Sequence, residues 1–174
     1  MKLELKNIKH SEFASEETNC YQGRVYVDGK PMIEVSNEGH GGCDNQYPIK
    51  PFTDDDIEKV DKWCRDNLPK WISKYDKKKE KNDTDLEVWC GEQVDKFLFS
   101  KELKRLLNKK IVFLKNNGIY DLSFKKIKKI TQKHLLYFAN VYSPQKGYDK
   151  IADFKVLNTI PFDKALEIYT KRIS

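Results

Sequence analysis

The feature that most constrains this fold is a short ribbon centred on Asp28-Gly29. Upstream of it, Tyr21, Gly23, Val25 and Val27 alternate with Gln22, Arg24 and Tyr26; downstream, Ile33 and Val35 alternate with Met32 and Glu34. A period of two marks strands with one buried face, and Asp-Gly between them marks a hairpin turn. Parity then constrains the pairing. A two-residue loop would oppose Val25 to Met32 and send Val25 and Ile33 to different faces. A loop of odd length keeps the odd-numbered apolar residues of both strands on one face, because a one-residue slip inverts every side chain. We therefore expect a three-residue loop with Gly29 in the left-handed conformation, and Pro31 at an edge or at the first position of its strand.

A first strand over residues 3–13, with Leu3, Leu5 and Ile8 apolar, completes an antiparallel three-stranded meander. In a meander the first connection and the end of the third strand lie at the same end of the sheet. Loops 15–19 and 37–44 should therefore meet, with Thr18 near residues 38–40.

After Pro48 and Pro51 the pattern turns helical. Thr53-Asp54-Asp55-Asp56 is an acidic, capped helix start, and Ile57, Val60, Cys64 and Leu68 form one face before Pro69 interrupts. Residues 74–83 read as a charged loop or frayed helix end. Thr84-Asp85-Leu86-Glu87 has the form of a capping box, followed by Leu86, Trp89 or Cys90, Val94, Phe97 and Leu98 at helical spacing. Gly91 weakens that helix, and Ser100 is placed to cap a short further helix through Leu107. Residues 111–114 and 119–124 flank Asn116-Asn117-Gly118 as a second hairpin. A helix is expected after Thr131, a loop over 143–148, a short strand at 155–157, and a last helix carrying Phe162, Ala165, Leu166 and Tyr169 behind Pro161. The order strands, helices, hairpin, helices predicts a single α+β domain over residues 1–174.

The chemistry-bearing residues gather in the two loops. His40 sits within Gly39-His40-Gly41-Gly42, where glycines permit positive φ and close approach to a ligand, and consecutive N–H groups can form an anion-binding nest. Glu16 and Glu17 are within reach to hold the imidazole or share a proton with it. Ser15, Glu16, Glu17, Thr18, Asn37, His40, Gly41, Gly42 and Asp44 are thus the expected binding residues, for a small polar or anionic ligand such as a nucleotide. The alternative is an acid–base enzyme, a hydrolase or transferase using His40 with Glu16 or Glu17. No Gly-Lys-Ser/Thr follows the glycines, so they are not a phosphate loop. Cys20, His40, Cys43 and Asp44 lack the paired spacing of a structural zinc site, and neither metal nor cofactor is expected. Cys20, Cys43, Cys64 and Cys90 are read as free thiols.

The net charge of +6 rests on 33 Lys and Arg against 27 Asp and Glu, and only four of the cations are arginines. Lysine without arginine fits a solvated surface better than base readout, so lysine-mediated nucleic-acid binding through 77–81 and 125–133 is a further alternative. No stretch has the apolar length of a membrane span and no signal sequence is evident, so a cytoplasmic protein without membrane contact is expected.

Phe13-Ala14-Ser15-Glu16-Glu17-Thr18-Asn19-Cys20, Val25-Tyr26-Val27-Asp28-Gly29-Lys30 and Val35-Ser36-Asn37-Glu38-Gly39-His40-Gly41-Gly42, with Val156-Leu157-Asn158-Thr159-Ile160-Pro161-Phe162 near the end, resemble a set of small uncharacterised bacterial and phage-type proteins. The resemblance implies a phage or mobile-element setting, in which a host protein is the alternative partner to a small ligand. It transfers no catalytic residues.

Overall fold

The central hairpin closes on two residues, not three. In the computed structural model, which describes residues 1–72, 78–124, 128–141 and 154–173, Val27 pairs with Lys30 and Tyr26 with Pro31. Asp28 (φ 49°) and Gly29 (φ 83°) form the turn, both left-handed as the tight hairpin turn requires. The register then shifts by one residue, and Val25 pairs with Ile33, Gly23 with Val35 and Tyr21 with Asn37. The parity argument holds for the faces, but a β-bulge at Pro31-Met32 satisfies it instead of a longer loop. Val25, Ile33 and Val35 are in consequence buried together.

Four strands form this sheet, in the order β1 (Leu3–His10), β2 (Tyr21–Val27), β3 (Lys30–Asn37) and β4 (Asn45–Pro48), all antiparallel. β1 is shorter than expected, and a register shift between Lys6 and Lys9, with Asn7 at φ 57°, keeps Ile8 in phase with Leu3 and Leu5. β4 was not anticipated: its alternation of Asn45, Gln46, Tyr47 and Pro48 is polar, and pairing with β3 alone makes it a strand. The class is therefore α+β, with a four-stranded meander at its start.

The chain divides into two compact units, Met1–Asp95 and Lys96–Ser174. In the first, α1 (Asp54–Asn67) begins with a capping box between Thr53 and Asp56 and buries Val60 and Cys64. Short strands β5 (Trp71–Ile72) and β6 (Lys81–Asn82) pair where a loop or frayed helix was expected; positions 73–77 of that stretch lie outside the described residues. α2 (Leu86–Lys109) is one continuous helix through Ser100, so no separate short helix exists there.

The second unit is built on β7 (Lys110–Lys115), β8 (Gly118–Ser123) and β9 (Lys155–Val156), with β7 central. Its hairpin turns on Asn116 (φ 47°) and Asn117 (φ 65°), with Gly118 already paired to Lys115. Asparagine tolerates the left-handed region, so Gly118 is not the turn residue that the Asn-Gly pattern indicated. Val112 packs with Leu103, Leu157, Ala165 and Tyr169 on one side, joining the last part of α2 to α4 (Phe162–Ile173). On the other side Phe113 meets Phe138 of α3 (Gln132–Val141) at 5.3 Å and Phe154 at 5.7 Å between ring centroids. Asn158 clasps the unit: its Oδ1 accepts the Val112 N–H (2.8 Å), and its Nδ2 donates to the carbonyls of Leu107 and Lys110 (both 3.0 Å). The loop expected at 143–148 lies outside the described residues. Among the described residues no helix is long and apolar enough to cross a membrane.

Candidate functional site

Loops 15–19 and 37–44 meet, as the meander requires. The Gly39 carbonyl accepts three successive N–H groups, from Glu16 (2.9 Å), Glu17 (2.9 Å) and Thr18 (3.2 Å). These amides make a nest of the kind that captures anions, but here the chain's own carbonyl occupies it. Close approach demands glycine: residue 39 has φ +91°, and a Cβ there would run into the Ala14 carbonyl oxygen and lie 2.9 Å from the Cys20 Cβ.

Asn37, buried at the end of β3, ties the loops further. Its Oδ1 accepts from the Thr18 hydroxyl (2.6 Å) and the Gly39 N–H (2.9 Å). Its Nδ2 donates to the Gly42 carbonyl (3.2 Å) and to Asp44 Oδ1 (3.1 Å). The hydroxyl of Tyr21 donates to the other oxygen, Asp44 Oδ2. Burial, with the charge of Asp44 and Glu87 nearby, pushes the Tyr21 phenol well above its ordinary range, so it remains a donor. The Gly41 N–H completes the ring on Thr18 Oγ1 (3.4 Å). Every polar atom of the Asn37 side chain is thus used within the chain.

The remaining expected residues serve differently. Ser15 Oγ donates to the Ser11 carbonyl (2.8 Å), accepts the Cys20 N–H (2.9 Å) and lies 3.2 Å from His10 Nε2, so it holds its own loop in shape. His40 Nδ1 is 3.2 Å from Glu16 Oε2, so the imidazole meets one of the two glutamates expected near it, with both side chains more than half exposed. Glu17 lies over Gly41, where an added Cβ would come within 2.5 Å of its Oε2.

Beside the ring opens a cleft of about 360 Å³ lined by Thr18, Asn19, Tyr21, Asn37, Gly42 and Asp44 on one side. Asp85, just before α2, and Glu87, Val88, Gly91 and Val94 in its first turns supply the other. Four of the expected binding residues line it: Thr18, Asn37, Gly42 and Asp44. Ser15, Glu16, Glu17, His40 and Gly41 do not. The α2 residues were missed because Thr84-Asp85-Leu86-Glu87 satisfies a capping pattern by itself. In fact Asp85 is the cap, accepting the Val88 N–H (2.8 Å), while Thr84 Oγ1 donates to the Pro69 carbonyl (2.6 Å). Glu87 is thereby released from capping and accepts the Asp44 N–H (3.3 Å). Asp61 of α1 accepts the Leu86 N–H (2.9 Å), and Arg65 reaches Asp85 (3.4 Å), which anchors the start of α2 at the cleft.

The charge of the cleft is negative. Among the described residues Asp44, Asp85 and Glu87 line it, and no Lys, Arg or His does. The same field acts on Cys43, whose exposed thiol is pushed above its ordinary range first by Glu87, so it stays protonated and is a poor nucleophile at neutral pH. Among the described residues no three His, Cys, Asp or Glu side chains come together as a metal site. Comparison with protein-family models, with curated proteins and with solved structures finds no match.

Proposed function

We propose that the first unit is a binding domain. Its ligand is a small polar molecule presenting an ammonium, guanidinium or similar donor-rich group to the cleft between loops 15–19 and 37–44 and the start of α2. The observation that carries this reading is the lining: Asp44, Asp85 and Glu87, each a carboxylate, share the cavity wall with Val88, Gly91 and Val94. A few fixed polar groups over an apolar base are what small-ligand sites present. An anionic ligand, the first expectation from the glycine-rich loop, would meet like charge here and find the nest already filled. The sign of the cleft therefore favours a cation.

Thermal shift followed by calorimetric titration tests this, using agmatine, spermidine and arginine against ATP and inorganic phosphate. At least one cationic probe should bind. Glu87→Gln should weaken it about tenfold, in keeping with the loss of a charge-assisted hydrogen bond. Gly91→Leu should abolish it while leaving the fold intact, since a Cβ at Gly91 meets nothing within 4 Å. Binding by ATP alone, indifferent to Gly91→Leu, would refute the proposal.

One observation favours a second reading, the His40–Glu16 contact at 3.2 Å. An acid–base enzyme built on it would lose turnover in His40→Ala with the fold unchanged; retained turnover would exclude that pair.

A further inference from the structure

The two units divide the charge of the chain unequally. Residues 1–95 carry 15 Lys and Arg against 21 Asp and Glu, a formal net charge of −6; residues 96–174 carry 18 against 6, a net charge of +12. A uniform compositional bias toward lysine does not produce this split. Lysines number 13 in the first unit and 16 in the second, whereas carboxylates fall from 21 to 6. The asymmetry is a depletion of acids from one compact unit, which is what a surface meeting a polyanion requires.

Exposed aromatic rings stand on that same unit. Tyr120 of β8 is 50% exposed and stacks on Phe113 at 5.8 Å, and Tyr137 of α3 is 60% exposed with its ring 6.4 Å from Phe124. Phe113, which is paired with Tyr120, rests in turn on Phe138 of α3, so Tyr120 and α3 lie on the same side of the β7–β8 hairpin. Phe124 also lies against His134 at 5.5 Å. Exposed Lys128, Lys129 and Lys133 lead into and begin α3, and Lys115 shares the strand face of Phe113. Tyr120 is thus backed by a stacked ring and Tyr137 is met edge-on by Phe124, while each keeps half or more of its surface exposed.

We propose that the second unit binds single-stranded nucleic acid on this face, with Tyr120 and Tyr137 as stacking platforms and Lys128, Lys129 and Lys133 on the phosphates. Every base has a π-face, so stacking on tyrosine combined with a cationic track binds single strands without reading sequence. Sixteen lysines with two arginines suit that role, since lysine grips phosphate as a point charge and makes few bidentate base contacts. A duplex hides its base faces. An anionic membrane matches the charge but offers nothing to stack on the rings. The apolar side of α4, with Ala165, Leu166, Ile168 and Tyr169, is spent in the core and is not available for insertion.

The test uses the full chain and fluorescence anisotropy of a labelled oligothymidylate about twenty nucleotides long, long enough to span several stacking and phosphate contacts. Binding should weaken with salt at a logarithmic slope of about −2 or steeper, the value for three phosphate contacts on a single strand. Replacing Lys128, Lys129 and Lys133 together by Gln should flatten the slope by about 2. Tyr137→Ala and Tyr120→Ala should each weaken binding about tenfold, and Tyr137→Phe, which keeps the ring, should not. Circular dichroism checks that each variant keeps its fold. The proposal is overturned by absence of binding at low salt, by alanine variants that bind like the parent, by equal affinity for a duplex of the same length, or by preference for phosphatidylserine vesicles over the oligonucleotide.

Discussion

Gly39 is where the loop junction is most exposed to a single change. Replacing it by Ala introduces two costs that the neighbouring glycines separate. The first is the left-handed backbone at φ +91°, which costs a residue with a Cβ about 1–2 kcal/mol. The second is space: the new methyl is driven into the Ala14 carbonyl and against Cys20, both fixed parts of the chain. To relieve that clash loop 15–19 must move away, taking the three N–H groups of Glu16, Glu17 and Thr18 off the Gly39 carbonyl. Each such bond contributes about 0.5–1.5 kcal/mol net, so the total loss is about 3–6 kcal/mol. Gly42→Ala shares the strain, with φ +94°, but its Cβ meets nothing within 4 Å. It should cost about 1–2 kcal/mol. Gly41→Ala should resemble Gly42→Ala, because its neighbour at 2.5 Å is the mobile carboxylate end of Glu17. Urea unfolding followed by tryptophan fluorescence reads the right unit, since Trp63, Trp71 and Trp89 all precede residue 96. With a slope of about 2 kcal/mol per molar urea, Gly39→Ala should lower the midpoint by about 1.5–3 M and Gly42→Ala by less than about 1 M. If the Gly39 and Gly42 variants unfold at the same midpoint, the junction is not held by close approach and the reasoning fails.

The Tyr21 phenol is held neutral by burial in the fold but ionises near pH 10 when unfolded, so the unfolded chain releases its proton first. Stability of the first unit should be at its full value below pH 10 and fall above it, and Tyr21→Phe should flatten the fall, as measured by urea midpoints from pH 8 to 11. Gly91→Ala, in a helix interior with open space around it, should raise stability by about 0.5–1 kcal/mol; a lower midpoint would mean the site is tighter than the geometry shows. Asn158→Ala leaves the Val112 N–H and the Leu107 and Lys110 carbonyls without their partner and should cost about 2–4 kcal/mol. Circular dichroism is the readout there, and a loss below about 1 kcal/mol would show that water replaces the side chain.

The hairpin faces were legible because a period of two leaves little freedom once one face is apolar. Val25, Ile33 and Val35 had to be buried together, and the meeting of loops 15–19 and 37–44 followed from that topology alone. The α+β class was readable for the same reason: apolar spacing changes from two to helical and back along the chain. The turn length was not readable, because a bulge at Pro31-Met32 and a longer loop satisfy the same parity. Nor was β4, whose polar residues become a strand through hydrogen bonds that β3 offers. The site shows the same division. Thr18, Asn37, Gly42 and Asp44 were found from local chemistry, whereas Glu87, Gly91 and Val94 arrive from more than forty residues away, on a helix whose start matched a capping pattern. The sequence alone determined which residues share a face and which loops share an end, since those follow from nearest-neighbour periodicity. The uneven charge of the two halves is also written in the sequence, and the fold adds only the boundary at which it divides. Tertiary structure decided the sign of the cleft, because that depends on carboxylates from distant stretches being brought together in space.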